Sequence, residues 1–397
     1  MTHLHEPDLW AASIDAPVAD LELWGLDPRV THLNHGSFGA VPRTVSHAQD
    51  TWRQRIEANP NRFIRYELSG HLRGVREVLG EFFAVEPDQL ALLPNATYGV
   101  TSVLESLTPC PEGTVVVIGH IYPSVRVALD AFALRNHLQT INVAVPAGMA
   151  TEDLEHALLT VLDARTKLVM VDQVESLSGA THPLPVLANV CRAAKIPLLV
   201  DGAHAPGPIP RPMEGLYDFW VGNLHKWVGA PRGSAVLWVG QEWQQRVRPA
   251  VYSHARHDSF SESFEWTGTF DASAWLAIPS ALTFCAELGG QQLWERNRQL
   301  ATAWRRDIQQ WVGAKDDAVP AATFPMIGLP ARSGLAKSQD HLSRIVRHIS
   351  DKHRIEVVAY WHEEAPWLRL SSHAYNSRGD VGRLIAALDA ADTKAVT

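Results

Sequence analysis

Cysteine is scarce in this chain: three in 397 residues, Cys110, Cys191 and Cys285, far apart and without a CxxC pair. That spacing argues against a disulfide framework and a structural zinc site, and it makes a reducing cytoplasm the expected compartment. No metal site is expected. An excess of one charge is missing too, since 35 Lys and Arg against 43 Asp and Glu leave a formal charge of -8 with no basic block. Neither nucleic acid nor an anionic membrane is therefore an expected partner. Long apolar runs are absent, and the opening Met1-Thr2-His3-Leu4-His5-Glu6-Pro7 shows no basic segment followed by an apolar one. Neither a membrane span nor a secretory signal is expected.

What is present suits a folded enzyme. With 46% hydrophobic residues, the chain can bury at least one large core. The 14 tryptophans are expected mostly in the core or at subunit contacts, and by themselves they name no ligand. Short β-branched runs alternate with helical patterns at 114–118, 140–145, 167–171, 197–200, 218–221 and 233–239. This alternation predicts a largely parallel α/β sheet. Thr151-Glu152-Asp153 predicts a helix start with Thr151 as cap, followed by Leu154, Leu158 and Val161 on one face. From about Leu293 a long amphipathic stretch leads into a Pro/Gly/Ala-rich segment at 312–334, then a helix and a short strand at 356–360. We expect an N-terminal segment over 1–45, a large α/β domain over 46–290 and a smaller α+β domain over 291–397, with a frayed end from Ala391.

Two residues carry the chemistry. Leu198-Leu199-Val200 ends in Asp201, and Asn223-Leu224-His225-Lys226-Trp227 presents a lysine shortly after another apolar run. Open α/β sheets bind ligands at the carboxyl ends of their strands, where Asp172, Asp201 and Lys226 fall. A lysine that becomes neutral attacks an aldehyde, and a carboxylate beside a pyridine nitrogen keeps that ring protonated. Together they suggest pyridoxal phosphate chemistry. Pro94-Asn95-Ala96-Thr97 precedes a helical pattern through Leu107, placing Thr97 at a helix N-terminus suited to a phosphate or, more plainly, to a cap.

These segments recur in one order with Leu33-Asn34-His35-Gly36-Ser37-Phe38-Gly39, Trp266-Thr267-Gly268-Thr269 and the run from Arg369 to Asn376. In that order the chain resembles the isopenicillin N epimerase-like branch of the class V aminotransferases, from about residue 32 to 388. The resemblance implies the fold type I pyridoxal 5'-phosphate scaffold: α/β, a large domain with a mostly parallel seven-stranded sheet and a smaller α+β C-terminal domain. It implies that Lys226 holds the cofactor as a Schiff base and moves protons at the substrate Cα. Asp201 would pair with the pyridine nitrogen, His204 would contact the phenolic oxygen and His120 would stack on the ring. Ala96, Thr97, Asn223 and His225 would hold the phosphate, with Gly268 and Thr269 reaching the neighbouring subunit's phosphate in a homodimer. On the substrate side, Arg369 would grip the α-carboxylate of an amino acid, with Asn34, His35, Ser37 and Tyr375 around it.

The chain also departs from that pattern. No cysteine follows Cys285, which disfavours the persulfide route of cysteine desulfurases. Gly119 replaces an acidic residue often found before the histidine, and Asp172-Gln173-Val174-Glu175-Ser176 replaces a more usual His-Val-Thr-Ser run. An epimerase or racemase is the leading expectation. His35, Tyr122 and Tyr375 are candidates for its second acid. Carbon–sulfur lyase, aminotransferase, carbon–nitrogen bond-forming cyclase and noncatalytic scaffold remain as alternatives.

Overall fold

The computed structural model describes residues 14–108, 111–146, 148–216, 218–313 and 321–392. Cys110, the opening residues 1–13 and the end from 393 lie outside them. The chain divides into two compact units, one made of Thr44–Ser176 and Thr181–Leu282, the other of Met1–Arg43, Leu177–Ala180 and Thr283–Thr397.

The first unit is built on a seven-stranded sheet. Across it lie Leu90–Leu93, Ala235–Val239, Phe219–Asn223, Leu198–Asp201, Thr166–Asp172, Thr114–Ile118 and Gln139–Val143. Ala235–Val239 runs antiparallel to its two neighbours, and the remaining pairings are parallel. Val115, Val116, Val117, Val169 and Val200 are fully buried. Burial on both faces is why these strands read as continuous apolar runs instead of alternating ones. Leu90–Leu93 is not among the expected strands, since Leu-Ala-Leu-Leu carries no β-branched residue. A further correction concerns the helix Thr151–Val161: its cap is Ala150, without a side-chain cap bond, and Thr151 is already helical.

The second unit gathers both ends of the chain around the helix Gly290–Val312. A three-stranded antiparallel sheet has Ala365–Ser371 at its centre, between Val358–His362 and Met326–Pro330. Thr31–His32 pairs in parallel with Ile355–Glu356, and Leu33 packs into the same core as Ile327, Ile355 and Leu370. Met326–Pro330 is a strand hidden in the Pro/Gly/Ala-rich segment. Its Gly328 N–H donates to Ser178 O at 2.8 Å, and a Cβ there would lie 1.9 Å from Leu177 O. Only glycine admits that approach. Among the described residues, no helix is long and apolar enough to cross a membrane.

Candidate active site

One edge of the large sheet collects the chemistry of the first unit. Six strands of like direction end there, five of them at Leu93, Ile118, Asp172, Asp201 and Asn223. Each parallel strand must hand its chain over at the same edge, so polar residues just past the apolar runs converge. Leu93 leads to the helix Ala96–Ser106, whose first turn is capped by the Asn95 side chain accepting from Tyr98 N–H at 2.9 Å. The Asn223 side chain accepts from Ala96 N–H at 2.9 Å and ties that helix start to the strand before the lysine. Ala96 and Asn223, both expected at the phosphate, are thus bonded to each other beside Thr97.

Lys226 is buried, with Nζ 3.0 Å from His204 Nε2. Trp227 Nε1 donates to His204 Nδ1 at 3.4 Å. A neutral imidazole carries one N–H. With Nδ1 accepting from the indole, that hydrogen is on Nε2, facing Nζ. A lysine attacks a carbonyl as the neutral amine. His204, expected on the phenolic oxygen, therefore bonds the lysine itself here. His225 donates from Nδ1 to Ser234 O at 3.0 Å, and burial pushes its pKa down to about 4, leaving its ring neutral.

Asp201 accepts from Ala203 N–H at 2.9 Å. Burial raises its pKa, against the opposing pull of that N–H and of Lys226. Asp172 stands in register beside it on the neighbouring strand. Burial, then the charges of Asp201 and Glu175, hold the Asp172 carboxyl well above its ordinary range. Its buried Oδ1 has no protein partner among the described residues. Two carboxyls, one with an unsatisfied oxygen, beside a buried lysine make an environment that fits a polar aromatic aldehyde better than it fits an apolar core. His120 follows Ile118 and Gly119 and is exposed, as are Gly268 and Thr269.

The second unit holds the residues expected on the substrate side. Arg369 is buried on the central strand and donates from Nη2 to Asn34 Oδ1 at 3.2 Å and to Ser37 Oγ. Ser37 Oγ also donates to Asn34 Oδ1 at 2.7 Å, and the guanidinium lies 5.5 Å from the centre of the Tyr360 ring. The hydrogen-bonded Asn34–Ser371 bridge brings the N-terminal segment to that strand. His35 Nδ1 is 2.8 Å from the Tyr375 hydroxyl, and its ring stacks on His373 at 3.8 Å. Burial raises the Tyr375 phenol, so it is the donor in that bond. Burial, His35 and Arg296 hold His373 well below its ordinary value and neutral. Tyr122, the third candidate acid, is in the first unit and 43% exposed.

Sequence reasoning assigned no role to four participants: Trp227, His373, Glu175 and His182. Trp227 was passed over as the neighbour of the lysine, and His373 as one of many histidines. The partnership of Glu175 with His182, at 3.2 Å, joins residues with no common motif. Only the departure at Glu175 signalled it.

A parallel sheet with a buried lysine and a carboxylate at its carboxyl edge defines the α/β scaffold of a pyridoxal phosphate enzyme. The profile of the family "Aminotransferase class-V" matches residues 39–384, and the chain belongs to that family. Its cofactor is pyridoxal 5'-phosphate, and the chain is a pyridoxal phosphate-dependent enzyme. Among curated proteins it is 31% identical to an isopenicillin N epimerase of Amycolatopsis lactamdurans, covering 91% of this chain and 95% of that one. It is 26% identical to a probable chloroplastic L-cysteine desulfhydrase of Arabidopsis thaliana, over 91% and 83% of the two chains. Among solved structures, the cystine C-S lyase C-DES in complex with its product cysteine persulfide shares the fold with a TM-score of 0.77. The identity there is 19%, over 91% of this chain and 97% of that one.

Proposed function

We propose that this enzyme epimerises or racemises an amino acid at Cα. The carrying observation is the Tyr375–His35 pair, a buried phenol donating to an imidazole in the unit that also holds the Arg369 clamp. Inversion needs two groups to handle one proton, one to remove it and another to return it. Similarity to isopenicillin N epimerases, at 31% and 28% identity over most of the chain, supports this reading.

When bound, pyridoxal 5'-phosphate supplies an aldehyde for an amine and a ring that withdraws electrons from Cα. Lys226 would hold the cofactor through its aldehyde, and its amine would take the Cα proton. Asp201 holds a proton at the pyridine nitrogen. Thr97, at the start of its helix, donates to the phosphate. Arg369 binds the α-carboxylate through its planar guanidinium, oriented by Asn34 and Ser37. His35 would return the proton from Nε2 while its Nδ1 takes the Tyr375 hydroxyl proton, which solvent then restores. Gly268 and Thr269 serve the neighbouring subunit of a homodimer. Mixing Thr269→Ala with Lys226→Ala subunits should restore activity, because one site of the mixed dimer escapes both defects.

Carbon–sulfur elimination is the second reading, favoured by the cysteine desulfhydrase relatives. A persulfide-forming route through Cys191 or Cys285 is disfavoured, since burial pushes both thiols up to about 12. The two readings separate when amino acids are incubated with the enzyme in deuterated water. Epimerisation puts solvent deuterium on Cα of recovered substrate with mixed chirality. Keto acid together with released sulfide or thiol, and no chirality change, would overturn it.

A further inference from the structure

Gly119 joins the strand Thr114–Ile118 to His120 with φ +63°. A Cβ there would stand 2.6 Å from Glu175 Oε1 and 3.2 Å from His182 Nε2. The space a side chain would need at 119 is thus filled by a carboxylate arriving from the neighbouring strand's loop. Glu175 and His182 are both buried, on the two arms of a turn closed by the Val174–Thr181 bridge. Glu175 Oε1 accepts from the His120 backbone N–H at 3.3 Å and from His182 Nε2 at 3.2 Å. Gly119 and His120 are therefore held against one acid, Glu175.

A buried carboxylate costs stability unless its oxygens are used. Here one oxygen is used on the backbone of the residue expected to face the cofactor ring. We propose that Glu175 is the positioning residue of His120, with His182 fixing the carboxylate and glycine at 119 making room for it. This rests on the reading of His120 as the group that lies against the ring. Glu175 does not touch the cofactor; it sets where the His120 imidazole stands.

The test is the affinity of the apoprotein for pyridoxal 5'-phosphate, followed by tryptophan fluorescence, alongside the melting temperature of each apoprotein. Glu175→Ala should weaken cofactor binding roughly tenfold, as expected for loss of a charge-assisted hydrogen bond. Glu175→Gln keeps an acceptor oxygen for His120 N–H and should bind within about threefold of wild type. Gly119→Ala should weaken binding like Glu175→Ala, and adding Glu175→Ala to it should bring no further loss, because the clash is then relieved. Combined with His120→Ala, Glu175→Ala should add nothing, since the residue it positions is gone. Multiplying losses in that last pair, or full affinity in Glu175→Ala where His120→Ala is weakened, would overturn the proposal. Full affinity in His120→Ala would overturn the reading of His120 beneath it. If Glu175→Ala fails to fold, the Glu175→Gln and Gly119→Ala variants carry the same comparison: affinity lost in Glu175→Gln, or kept in Gly119→Ala, counts against the proposal.

Discussion

Trp227 sets the proton of His204: the indole N–H on Nδ1, at 3.4 Å, leaves Nε2–H facing Lys226 Nζ 3.0 Å away. The lysine is prepared by a residue that it never touches chemically. Trp227→Phe frees the ring to adopt the other tautomer, in which Nε2 accepts from a charged lysine. Covalent attachment of the cofactor, measured as borohydride-trapped protein against time, should slow about threefold to tenfold, the cost of one neutral hydrogen bond. Unchanged attachment kinetics would count against the tautomer argument.

Arg369 binds through a fork that lysine cannot reproduce. Arg369→Lys keeps the charge but loses the paired geometry held by Asn34 and Ser37. KM for the amino acid should rise roughly 10- to 100-fold, with kcat far less affected. Steady-state kinetics with one substrate enantiomer decide it.

Tyr375→Phe removes the donor to His35 Nδ1 and leaves the packing of that ring on Trp24 and His373. Deuterium return to Cα should fall roughly tenfold, while KM stays near wild type. Equal losses in proton removal and proton return would mean that the pair has no special part in returning it.

Asp172 links the site to pH. Burial and its acidic neighbours raise its pKa in the fold, so the fold favours the protonated form. A group raised in this way stabilises fully below its unfolded value and loses that contribution as pH climbs through the folded one. The apoprotein should therefore lose stability between an acidic and an alkaline pH, relative to Asp172→Asn, whose amide does not titrate. Melting temperatures of the two apoproteins at both pH values show it. A constant difference between them would refute the assignment.

The parallel sheet was legible in the sequence because its strands are buried on both faces and end in polar residues: Leu198 to Asp201 shows both features in four positions. Leu90–Leu93 and Met326–Pro330 were not, because the first has the composition of a helix and the second sits among prolines and glycines. Lys226, Asp201 and Arg369 could be singled out since each stands in a recognisable local run. The bonds from Trp227 to His204 and from Glu175 to His120 join loops that follow separate strands, and which loops meet is fixed by strand pairing rather than by local order.

The second unit also fixes an order of events in the making of the chain. Leu33 is fully buried among Ile327, Ile355 and Leu370, all supplied by the far end. During synthesis residues 14–43 must wait while the entire large-sheet unit is translated. At roughly 5–20 residues per second that wait lasts tens of seconds, with the apolar partners of Leu33 not yet made. The opening segment therefore travels as a tether that the ribosome, and any chaperone beside it, meets long before it has a place to dock.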